Sequence, residues 1–193
     1  MRFSIFVHFS SDINPVLEAA GAIVELRSRD ASIINRIPLS DFFLGDHRIQ
    51  MADNEVLVAI HIPLQTNLTS KSFIRSYKQA QRREDSKGIV SAGFRVNLDP
   101  CDGEQNQWKI RSVCFAFGGM ASKTMIAIKT QEKLIGSLWT RETINQAYEY
   151  LLEEMPLNEM SPGGKTEYRS YSIFHQLEIF RSYFLKNSDL DER

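Results

Sequence analysis

The run Arg82-Arg83-Glu84-Asp85 sets two guanidinium groups beside two carboxylates, just ahead of Gly88 and a strand-like segment. As an exposed turn, such a run is simply solvated. Beside a ligand it has chemistry to offer: an arginine stabilises negative charge, and a carboxylate accepts a hydrogen bond. The residue types alone leave both readings open. Other reactive types point to no site. The four histidines, His8, His47, His61 and His175, show no pair three to five residues apart, so no metal site is expected. There is no G-x-S-x-G, and neither Cys101 nor Cys114 has a base beside it; Cys114 reads as a buried thiol. There is also no G-x-x-x-x-G-K and no G-x-G-x-x-G, and the glycine pairs at 118–119 and 163–164 read as turns.

Composition narrows the class. The chain has 193 residues, 42% of them hydrophobic, with a net charge of -1. That supports one domain with a real core, or two small ones sharing an interface. Balanced charge argues against nucleic acid or an anionic membrane as partner. No apolar run approaches the roughly 20 residues of a membrane span. Two cysteines cannot build a disulfide scaffold, an iron–sulfur centre or a Cys-rich zinc site, and they suit a reduced, cytoplasmic setting.

Hydrophobic periodicity supplies the elements that must hold any site. Residues 20–29 and 55–62 read as strands, the second with Val56, Val58, Ile60 and Ile62 on one face. A polar boundary follows at 64–71. Val90, Ala92, Phe94, Val96 and Leu98 then alternate with Ser91, Gly93, Arg95 and Asn97, and 108–117 forms an antiparallel partner after the turn-rich 99–107. The remainder is helical: a short helix over about 129–138, one capped by Thr140 with Glu142 in its first turn, and a last one after 161–164. Tyr168, Tyr171, Phe174, Leu177, Phe180 and Phe184 form a stripe on that last helix and read as core. A sheet followed by a helix cluster is an α+β layer.

Four stretches, in this order, carry a resemblance: "SSDINPVLEAAGA" (10–22), "YKQAQRREDSKGIVSAGFRV" (77–96), "CFAFGGMASKT" (114–124) and "SPGGKTEYRSY" (161–171). They resemble the FAD-binding region of the xanthine dehydrogenase and aldehyde oxidase family, over roughly residues 10 to 185. The implied fold is α+β, a small antiparallel sheet packed on a helix cluster as in the CO dehydrogenase flavoprotein C-terminal domain (67–193). It is preceded by a remnant of the FAD-binding α+β subdomain (1–66). In such enzymes a molybdenum centre oxidises a purine or aldehyde, iron–sulfur clusters carry the electrons, and FAD passes them to NAD or oxygen.

The resemblance also implies site residues. Asp12 matches an acceptor for a hydrogen bond from the isoalloxazine ring, Leu57 an apolar wall beside it, and Lys78 a cation against it. Without the resemblance, Asp12 reads as a cap for a helix starting near Pro15, Leu57 as a core leucine and Lys78 as an exposed strand lysine. Arg82, Arg83 and Asp85 match a loop whose charges tune the field around the flavin. The family's usual sequence after "RRED" is replaced by Ser86-Lys87-Gly88-Ile89, and Gly88 is expected to add backbone freedom. In the family a glycine-bearing stretch precedes the "SDINP" stretch by a few residues, and a separate apolar-glycine loop further upstream cradles the pyrophosphate; "MRFSIFVHFS" has no glycine, so FAD affinity is expected to be weak or absent. The chain is expected to be a truncated portion, inactive alone. Its expected partners are iron–sulfur and molybdenum-binding chains, a full-length relative or a second copy in a homodimer. Residues 3–9, "FSIFVHF", are expected to form an exposed or swapped strand.

Overall fold

A computed structural model describes residues 11–28, 33–45, 48–64, 70–82, 86–101, 107–159, 161 and 164–188. The strand expected at 3–9 lies outside these residues. Helix α1 (Asn14–Ala20) carries Pro15 in its first turn, where the missing N–H is no loss. Asp12 does not cap it: the N-cap is Ile13. The Asn14 N–H donates to Ser11 Oγ instead, at 3.4 Å. Because the helix extends through Ala20 and ends at Gly21, the strand expected at 20–29 is shortened to β1 (Ile23–Ser28).

Strand β1 lies between β2 (Ile34–Pro38) and β5 (Glu55–His61) in a three-stranded antiparallel sheet. Helix α2 (Leu39–Phe42) and the short ladder of β3 (Phe43–Gly45) and β4 (Arg48–Ile49) complete a small core around Val24, Leu26, Leu39, Phe42 and Phe43. The face expected to be apolar on β5 is largely outward. Val56 is 58% exposed, and Val58 and Ile62 are exposed too, while Leu57 and Ile60 pack on the small core. The reason is a bulge. Leu26 pairs with Leu57 but Glu25 pairs with Ala59, so Val58 is an extra residue that shifts the period-two pattern midway.

The second sheet has the order β6 (Lys71–Ala80), β7 (Gly88–Pro100), β8 (Trp108–Gly118) and β9 (Met125–Ile126), all antiparallel. The alternation expected on β7 is borne out: Val90, Ala92, Phe94, Val96 and Leu98 are all buried in the main core. Phe94 is its hub, with ring centroids 5.3 Å from Phe115, 5.4 Å from Phe117 and 5.5 Å from Phe180.

Helices α3 (Ile128–Leu134), α4 (Arg141–Glu154) and α5 (Thr166–Ser188) supply the other half of that core. Helix α3 stops at Leu134, short of the expected 138, and Leu138 instead makes a β-bridge to Lys109. Thr140 caps α4 as expected, its Oγ1 accepting from the Thr143 N–H at 3.2 Å. On α5 the buried stripe differs from the expected one. Ile173, Leu177, Phe180 and Phe184 are buried, whereas Tyr168 and Tyr171 are exposed. The inner positions of the first turns belong to Arg169 and Ser172.

The opposite face of the large sheet, bearing Ser91, Gly93 and Arg95, receives α1. The fit is close enough that a Cβ at Gly93 would collide with the Pro15 carbonyl. Arg95 Nη1 donates to the Ala20 carbonyl at 3.4 Å. Helix α1 thus ties the N-terminal elements to the back of the C-terminal sheet.

Candidate functional site

Strand register brings the candidate site together. Lys78, near the end of β6, pairs across the sheet with Ser91 of β7. The Ser91 hydroxyl donates to the Ser11 carbonyl at 3.2 Å. Asp12 therefore arrives beside Lys78, and the ammonium donates to Asp12 Oδ2 at 2.5 Å. Both side chains keep about two-fifths of their surface in solvent, 40% for Lys78 and 41% for Asp12. An ion pair this exposed adds little to stability. Chemically it is a reachable acceptor and donor held side by side, which suits the polar edge of a planar heterocycle.

Gly88 forms part of the same spot. Its backbone does not adopt positive φ, so conformational freedom is not its role. A Cβ there would stand 2.9 Å from Asp12 Oδ1, so the glycine leaves the carboxylate its room. The spacing of "SKGIVSAG" carried this signal only for a reader who already knew that residue 12 packs against residue 88.

The other expected positions divide. Leu57 packs on the small core, opposite Leu26. Arg82 is exposed just beyond β6. Arg83 and Asp85 lie outside the described residues.

Sequence reasoning missed two buried glutamates. Glu18 on α1 faces the large sheet, and both carboxylate oxygens lack a hydrogen-bond partner among the described residues. Burial pushes its pKa up to about 8, against the pull of Lys123. The Cys114 thiol is raised to about 11, again chiefly by burial, and stays protonated, as a structural thiol should. Glu25 on β1 is ringed by two arginines and a histidine: Arg36 Nε donates at 2.9 Å, Arg27 Nε at 3.0 Å, and His61 Nε2 lies 2.9 Å away. Hydrogen bonds from Arg36, Arg27 and His61, in that order, hold its pKa down near 2. Among the described residues, no group of three or more His, Cys, Asp or Glu side chains is placed to hold a metal, and no helix is long and apolar enough to cross a membrane.

Residues 75–176 match the model of the CO dehydrogenase flavoprotein C-terminal domain. The chain belongs to that family. Residues 5–65 match the FAD binding domain in molybdopterin dehydrogenase. Among curated proteins, it is 40% identical to a xanthine dehydrogenase of Dictyostelium discoideum over 167 residues, which is 82% of this chain and 12% of the relative. It is 32% identical to the aldehyde oxidase of Homo sapiens over 188 residues, 94% of this chain and 13% of the relative. The chain thus spans about an eighth of the length of these relatives. In fold it is similar to quinoline 2-oxidoreductase from Pseudomonas putida 86, with a TM-score of 0.71 at 17% identity, covering 93% of this chain and 57% of the other. It is similarly close to a Cu,Mo-CO dehydrogenase, with a TM-score of 0.70, also at 17% identity, over 91% of this chain and 58% of the other. The α+β fold expected from sequence and the resemblance to the xanthine dehydrogenase and aldehyde oxidase FAD region both stand.

Proposed function

We propose that this chain is the flavin-facing portion of a xanthine dehydrogenase- or aldehyde oxidase-like molybdo-flavoenzyme, with Asp12 and Lys78 meeting the isoalloxazine edge of FAD. The observation that carries this is the Asp12–Lys78 ion pair. Two residues 66 apart in sequence meet at one exposed spot, with Gly88 keeping the carboxylate clear. The donor set fits the group: a carboxylate accepts from a ring N–H, and an ammonium favours a ring that gains negative charge. When bound, FAD supplies the electron relay. This chain's residues orient the ring and set the field around it. Arg82, Arg83 and Asp85 extend that field, and Leu57 offers an apolar contact only where it emerges from the small core.

The electron acceptor in this reading is NAD or oxygen. Electrons reach the flavin in this reading from iron–sulfur and molybdenum-binding domains or chains. Outward Val56, Val58 and Ile34 support association with such partners, a full-length relative or a second copy. Alone, the chain turns over neither purine nor aldehyde.

Titration with FAD, followed by flavin fluorescence and calorimetry, tests the reading. Saturable binding is expected. Asp12→Ala and Lys78→Ala should each weaken it by roughly 1–3 kcal/mol, as for a charge-assisted hydrogen bond. Equal affinity in variants and wild type rejects the assignment of these residues.

A further inference from the structure

The first turns of α5 hold a buried arginine that the proposed site does not itself use. Arg169 is 2% exposed. Its Nε donates to the Gly164 carbonyl and its Nη1 to the Gly119 carbonyl, each at 2.7 Å. Its Nη2 is buried without a hydrogen-bond partner among the described residues. Burial lowers its pKa, a sign of the cost of taking a guanidinium out of water. A methionine would fill the same volume without that cost, so what the arginine contributes is the placement of the two carbonyls.

The Gly119 carbonyl leads directly to the site. Gly119 has φ +84 and lies so tightly on the start of β7 that a Cβ would strike the Ile89 carbonyl. Its neighbour Gly118 is equally close to Ser91: a Cβ there would stand 2.5 Å from the Ser91 hydroxyl and 3.3 Å from the Ser11 carbonyl. Ser11 precedes Asp12, and Ile89 follows the Gly88 that touches Asp12. The same helix reaches the other flank, where Gln79 Nε2 donates to the Tyr168 hydroxyl at 2.5 Å, one residue from Lys78.

We propose that Arg169 is the positioning residue of the Asp12–Lys78 site. By clamping the Gly118–Gly119 turn onto Ile89 and Ser91, it fixes the Ser11–Asp12 segment at the separation where the carboxylate meets the ammonium. The effect runs through backbone packed without slack, so a small shift of the turn displaces Asp12. This rests on the reading of Asp12 and Lys78 as the flavin-facing pair, and the test separates the two.

The test compares wild type with Arg169→Met and Arg169→Lys in two measurements. The first needs no flavin: the NMR cross-peaks between the Asp12 and Lys78 side chains in the unliganded full chain at one fixed pH, beside its thermal transition. In Arg169→Met these cross-peaks should be lost, and Arg169→Lys, whose ammonium lacks the two-pronged fork, should keep part of their intensity. The second is FAD affinity in a double-mutant cycle with Asp12→Ala. Arg169→Met should weaken FAD by about tenfold in the wild-type background and have little further effect once Asp12 is gone. A merely structural arginine gives the same loss in both backgrounds and leaves the Asp12–Lys78 cross-peaks at full intensity; either result overturns the proposal. If wild type binds no FAD, the proposed function fails while the cross-peaks still decide the role of Arg169. Should Arg169→Met not fold, Gly119→Ala perturbs the same turn from the other side, and unchanged Asp12–Lys78 cross-peaks in it and in Arg169→Lys count against the proposal.

Discussion

The α1–sheet interface and the outer face of the small sheet each bury a glutamate, and the two ionise in opposite directions. Glu18 is sealed between a helix and a sheet with neither oxygen hydrogen-bonded among the described residues, and its pKa rises to about 8. Glu25 is equally buried, yet Arg36, Arg27 and His61 hold it near 2. Burial alone therefore does not decide the charge of a buried carboxylate; the donors its neighbours present decide it. The small sheet places long cationic side chains on adjacent strands, where register sets them around one acceptor. Helix α1 lies against Gly93, Arg95 and Cys114, a surface trimmed for closeness, and close packing leaves no room for solvating partners.

The largest expected break in this comparison comes from removing the closeness. Gly93→Val forces side-chain atoms into the Pro15 backbone and should cost about 3 kcal/mol or more, read by chemical denaturation. It should also weaken FAD binding, because Asp12 rides on the segment that precedes α1. Next is the alkaline arm. The folded pKa of Glu18 lies above its ordinary value of 4.5, so its contribution is full below pH 4.5 and is lost as pH rises through about 8. Glu18→Gln should flatten that decline and stabilise the protein at pH 9 by about 2 kcal/mol, measured as thermal shift against pH. An unchanged slope means that Glu18 finds a partner or water at its oxygens.

The acid arm has the reverse sign. Glu25 is held below its ordinary value of 4.5, so its contribution is present above pH 4.5 and is lost as pH falls toward 2. Glu25→Gln should remove that part of the acid sensitivity while leaving the alkaline decline intact. The smallest effect sharpens the contrast between the inner and outer sides of β5. Val56→Thr should change stability by less than about 0.5 kcal/mol, since Val56 faces outward. A larger loss would mean that this face is covered in solution, and the dependence of the melting temperature on protein concentration would then identify self-association.

Much of the large sheet was legible in the sequence. The alternation over β7 is unbroken, one face meets the aromatic core, and the Thr140 cap needs only local chemistry. The β5 prediction failed for an identifiable reason. Its residues alternate, but the bulge at Val58 depends on how β1 pairs with β5, and a period-two pattern carries no record of its partner's register. The α5 stripe failed similarly: Tyr168 and Tyr171 have the right spacing for the core, but the first turns face the Gly119 and Gly164 backbone, which selects an arginine.

By itself, the sequence determined the α+β class, the strand–helix order of the C-terminal part, the α4 cap and the family resemblance that singled out Asp12 and Lys78. These depend on short-range periodicity and on local motifs. Tertiary structure alone decided that Asp12 and Lys78 meet, that Gly88 and Gly93 serve close approach, and that Glu18 and Glu25 carry opposite pKa shifts. Each of these depends on a contact between segments far apart in the chain, and its energy comes from burial and geometry that no stretch of residues contains before the chain folds.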